Sequence, residues 1–170
     1  LKNVYIEDGK VKLVPTFETI QQAEAFFSQK FDERLAKRVE SAEKQVEFMD
    51  RLLRVAQGTR MGLGMTKMLQ KFLLKRSTLR ALNSFYSESM SEEEALEADQ
   101  RIIDSMVSLG DKLKSYSDAE LQKDLKKLYV ERMYKASLEN SYYKVLGNLL
   151  TLEQNFDRLT APNHSDDLME

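Results

Sequence analysis

At 170 residues the chain is long enough to bury a core within one domain. Charged residues make up 32% and the mean hydropathy of -0.51 describes a well-solvated chain, while a hydrophobic fraction of 42% excludes wholesale disorder. A formal net charge of -2 removes global basicity as an argument for nucleic acid, and the absence of Cys excludes disulfides, thiolate nucleophiles and Cys-based metal sites.

Residues 3–14 set Asp8-Gly9 between two β-prone runs. Gly and Asp tolerate the positive φ of a tight hairpin turn, so residues 1–15 read either as a short β-hairpin or as an extended arm. A lone hairpin is marginal in water, so it would have to pack on helices or pair with another chain. Pro15 closes the segment and Thr16 is the expected N-cap of a first helix.

From Phe17 to Gln57 no Gly or Pro intervenes, and Gly58 is the expected stop. Ile20, Ala23, Phe27, Phe31, Leu35, Val39, Ala42, Val46, Met49, Leu53 and Ala56 recur at steps of three and four, the helical period. Such a helix spans roughly 60 Å. The run of fours from Ala23 to Val39 favours a straight or slightly right-handed course.

A break over Gly58–Gly64 precedes a second, shorter helix from about Met65 to Ser87, with Met68, Phe72, Leu79, Leu82 and Phe85 on one face. Ser91 and Glu94 form a capping-box pattern that opens a third helix, which carries Ala95, Ile102, Met106, Leu109 and Leu113 and is interrupted or frayed near Gly110. Ser117-Asp118-Ala119-Glu120 repeats the pattern. A fourth, long helix is predicted from Asp118 to Leu159, with a seam at Leu138, Tyr142, Val145, Leu149, Leu152, Phe156 and Leu159. Leu146 and Leu150 widen that seam beyond a simple dimer contact. Pro162 ends it, and residues 161–170 read as a flexible tail.

The expected fold is therefore all-α. Long, short, short and long helices over residues 16–160 form an elongated antiparallel bundle, preceded by the arm or hairpin. No apolar run reaches the ~18 residues of a membrane-spanning helix, so the expectation is a soluble chain. The compartment stays open between cytoplasm, slightly favoured, and a periplasmic or secreted setting, which the lack of Cys also suits. No signal-peptide pattern marks Leu1, which reads as a mature terminus or as the edge of an excised piece.

Charge distribution is the main anomaly. Arg51, Arg54, Arg60, Lys67, Lys71, Lys75, Arg76 and Arg80 occur without an Asp or Glu between residues 51 and 87. Glu88, Glu92, Glu93, Glu94, Glu97 and Asp99 follow directly. Two readings compete: a surface for an acidic protein or anionic lipid, or mutual neutralisation of neighbouring helices. Nucleic acid ranks below both, since no helix-turn-helix pattern is evident.

Met61, Leu63 and Met65 sit on a Gly-rich link inside the basic segment. They would form an adaptable docking tip or fold back to close a bundle end. Tyr116, Tyr129, Tyr134, Tyr142 and Tyr143 suit either an interface or the edge of a core, and Asn140 would set helix register if buried.

Catalytic and metal constellations fail. The single histidine, His164, lies in the tail, so neither a di-iron bundle nor a Ser-His-Asp site can be assembled around it. Acids at the start of the third helix are explained by the helix dipole. No enzymatic activity and no cofactor are expected.

The leading functional expectation is a helical protein–protein interaction or scaffolding module whose partner is another protein or a second copy of itself, and which belongs to or chaperones a larger assembly. The alternative is a peripheral membrane protein that meets anionic lipid. Candidate contact residues are Arg54, Arg60, Met61, Leu63, Met65, Lys67, Lys71, Lys75, Arg76 and Arg80.

Overall fold

The structure, a computed structural model, describes residues 3–7, 9–14, 17–60, 74–87, 89–139 and 142–158. The chain is all-α in class, with five helices among the described residues: α1 (Ile20–Arg60), α2 (Arg76–Phe85), α3 (Glu92–Tyr116), α4 (Ala119–Glu139) and α5 (Tyr142–Arg158). Ahead of them β1 (Asn3–Glu7) and β2 (Lys10–Val14) pair antiparallel, Asn3 opposite Val14 and Glu7 opposite Lys10. Gly9 turns between them at φ 75°, where a side chain would be strained.

α1 opens one turn later than Thr16, which lies outside the described residues. Thr19 is its N-cap: the Gln22 backbone N–H donates to Thr19 Oγ1 at 3.4 Å, and Gln22 Oε1 accepts from the Glu18 N–H at 3.2 Å. The helix does not stop at Gly58 but continues to Arg60. A helical Gly costs only about 1 kcal/mol, which packing around Leu52 and Ala56 offsets. α3 likewise runs through Gly110 without interruption.

Ser91 caps α3: the Glu94 N–H donates to Ser91 Oγ at 3.1 Å, and the Ser91 hydroxyl donates to the Glu94 carboxylate, side chain to side chain. The next cap is shifted by one residue. Asp118, not Ser117, accepts the Leu121 N–H at 3.2 Å, while the Ser117 hydroxyl turns back to the Leu113 carbonyl at 3.0 Å.

The single long helix expected from Asp118 to Leu159 is two helices, α4 and α5. Side chains of α4 meet those of α5 in reversed order: Glu139 pairs with Lys144, and Asn148 Nδ2 donates to the Arg132 carbonyl at 3.0 Å. Of the expected seam, Val145, Leu149, Leu152 and Phe156 are buried on α5, whereas Leu138 on α4 and the widening Leu150 are 57% and 56% exposed. Among the described residues the order of lengths is thus long, short, intermediate, intermediate and short.

The chain divides into two compact units, and α1 and α3 contribute to both. The first comprises Leu1–Glu40 and Asp111–Glu170. Its core is a relay of rings: Phe17, Phe27, Tyr129, Phe31, Phe156 and Tyr116 each lie 5.4–6.2 Å from the next. Such tilted and edge-on pairs add to the burial of the rings themselves. β1 runs beside α5 in the same unit.

One edge of this core is ionic. Arg38 lies over the Phe156 ring at 5.1 Å, bonds Glu153 at 2.8 Å and Asp157 at 2.6 Å, and Arg34 pairs with the same Glu153. Arginines four apart on α1 thus meet acids four apart on α5, which fixes the helix register.

The second unit is Ser41–Gly110. Leu52, Ala56, Leu82 and Ile102 are buried at its centre, and Met49, Leu53, Phe85 and Met106 pack around them. The most buried position of this half of α1 is Leu52, one residue before the Leu53 that the stripe singles out.

Candidate interaction surface

Of the residues singled out in the sequence, Met61, Leu63, Met65, Lys67 and Lys71 lie outside the described residues, as does the Arg60 side chain. Arg54 is exposed and pairs with Asp50 one turn earlier at 3.0 Å. Lys75, Arg76 and Arg80 are exposed at the start of α2, where Lys75 is the N-cap residue without a side-chain bond. Among the described residues none of these three forms an ion pair, and neither do Glu93 and Glu97 at the start of α3. Mutual neutralisation of α2 and α3 is therefore not made among the described residues.

Asp99, the last of the acidic run, is no surface residue. It is buried, and its carboxylate accepts from the Tyr86 hydroxyl at 2.7 Å and Gln57 Nε2 at 3.5 Å. It ties α1, the end of α2 and α3 together. Tyr116 and Tyr129 are core residues of the other unit, and Asn140 and the Tyr142 and Tyr143 side chains lie outside the described residues.

The feature that sequence reasoning missed is on α3. Ala95, Ala98 and Ile102 face the core, but Leu96, Ile103 and Val107 remain 61%, 37% and 58% exposed. With successive residues turned by about 100°, these three fall within about 40° of one line along the helix. Glu93, Glu97 and Asp104 follow about 60–100° further round the helix on one flank. Asp104 accepts a hydrogen bond from Gln100 at 2.9 Å, and among the described residues no cation pairs with any of the three. The exposed side of α3 is thus an apolar stripe with an acidic border.

The signal was present in the sequence as a second apolar row, offset by one residue from Ala95, Ile102 and Met106. Periodicity registers both rows as one broad face and does not tell which half finds a neighbour.

An open groove of about 440 Å³ lies between α4 and α5, bordered by Arg132, Lys135, Lys144 and Asn148. Gly147 leaves it unfilled, since a Cβ there would meet nothing within 4 Å. Its single acid, Glu139, is held by Lys144. Among the described residues no group of three potential metal ligands converges, and no helix is long and apolar enough to cross a membrane.

Comparison of the chain with protein-family models, with curated proteins and with solved structures gives no match.

Proposed function

We propose that the chain is a non-enzymatic helical protein–protein interaction or scaffolding module, a helical bundle with a short N-terminal hairpin, acting as a component or chaperone of a larger assembly. The observation that carries this reading is the solvent-facing row of Leu96, Ile103 and Val107 on α3. Single exposed aliphatic residues are ordinary, but three in line form a ridge that another helix can cover. The non-enzymatic part is supported by the structural partners of the more enclosed carboxylates: Asp99 holds Tyr86 and Gln57, and Glu153 holds Arg34 and Arg38.

The intact chain, immobilised as bait, tests the reading against a Leu96→Lys/Val107→Lys variant with unchanged circular dichroism. Proteins retained by the wild type are expected to be lost from the variant. The same set recovered from both would refute the role of α3.

A second reading, peripheral binding to anionic lipid, is favoured by the exposure of Lys75, Arg76 and Arg80 without counter-ions among the described residues. Co-sedimentation with phosphatidylserine vesicles decides it. Binding that ignores lipid charge and salt would eliminate it.

A further inference from the structure

We propose that the α3 stripe is occupied by the cationic side of α2 from a second copy of this chain, an inference that rests on the reading of the stripe as an interaction surface. Two faces of the Ser41–Gly110 unit carry opposite charge and are not paired with one another. Glu93, Glu97 and Asp104 border Leu96, Ile103 and Val107 on α3, while Lys75, Arg76 and Arg80 stand exposed on and beside α2.

Lys and Arg suit such a stripe because their aliphatic stems cover apolar surface while their charged ends reach past it. A cationic helix laid on Leu96, Ile103 and Val107 would bring its ammonium and guanidinium groups to the acidic border. A symmetric antiparallel contact between two α3 helices would instead set the two acidic rows side by side, which like-charge repulsion disfavours. The complementary contact joins two different faces, so it is heterologous, and each copy retains a free face of each kind. A ridge of three aliphatic residues is small for an interface, which places the affinity in about the micromolar range.

Sedimentation velocity of the whole chain from about 1 µM to 1 mM tests this over the expected affinity range. The wild type is expected to self-associate, several-fold more weakly as salt rises toward about 0.5 M, because the bordering charges are exposed. Glu93→Lys/Glu97→Lys/Asp104→Lys and, separately, Lys75→Glu/Arg76→Glu/Arg80→Glu should each weaken association at least tenfold. An equimolar mixture of the two reversed variants should associate again.

Circular dichroism checks each variant. Where a triple reversal does not fold, Glu97→Lys and Arg80→Glu replace it, with a several-fold weakening each. A wild type that stays monomeric throughout, association untouched by either reversal, or reversed variants that remain monomeric when mixed would each overturn the inference. A monomeric wild type whose α3-dependent bait proteins are nevertheless found overturns only this inference. A monomeric wild type with identical bait proteins in the Leu96→Lys/Val107→Lys variant overturns both readings.

Discussion

Tyr116 ends α3 with its ring edge-on to Phe156, 5.8 Å away, and only 5% exposed. Burial pushes its phenol above the ordinary value, because the phenolate would lose its hydration. Arg38 opposes that rise and Asp157 adds to it. A raised phenol means that the folded chain holds the proton more tightly than the unfolded chain. The resulting stability is complete below about pH 10 and is lost as pH climbs through the folded value. In urea titrations at stepped alkaline pH, Tyr116→Phe should lose less stability above about pH 10 than the wild type. Identical slopes would show that Tyr116 contributes nothing to alkaline sensitivity. Neither the burial of Tyr116 nor that of Asp99 can be read from neighbours in sequence, since both depend on side chains supplied by other helices.

At the scale of single elements, helix starts were legible where a hydroxyl and a carboxylate stand three apart, as at Ser91 and Glu94. Between α3 and α4 two candidates compete, and geometry selects Asp118. Ser117 is drawn back to the Leu113 carbonyl and closes α3 instead. Asp118→Ala is therefore expected to cost about 1 kcal/mol in chemical denaturation, and Ser117→Ala only a few tenths. Equal costs would mean that the cap is shared. The separation of α4 from α5 was masked by their continuous apolar period. The α4 residues that turn inward are Leu125, Tyr129, Met133 and Ala136, while Leu138 of the expected seam is exposed, so the period marks helix without showing where the chain turns back. Leu149, Leu152 and Phe156 are buried on α5.

For the molecule as a whole, the two units hold separate cores. One is a relay of aromatic rings, and the other centres on Leu52, Ala56, Leu82 and Ile102. Leu52→Ala leaves a cavity in the smaller cluster and is expected to cost about 2–5 kcal/mol locally. Hydrogen exchange should then accelerate in residues 41–57 and 92–110 while amides of 119–158 keep their protection, as expected of distinct cooperative units. Uniform acceleration would show that the chain opens as one.

Ile20, Phe27, Leu35 and Ala56 recur at the helical step because a helix must present one apolar side to something, and that need is written locally. For the same reason the all-α class and the Ser91 cap follow from the order of residues alone, whereas α1 runs over Ile20–Arg60 and not from the Thr16 cap to the Gly58 stop. Which apolar rows are covered is a different matter. Ala95 and Ile102 are buried and Leu96 and Ile103 are not, although each pair is spaced alike on one helix. Burial is a property of two surfaces brought together across long stretches of chain, so the exposed stripe, the inward Asp99 and the Arg38–Asp157 pair were decided only by tertiary structure.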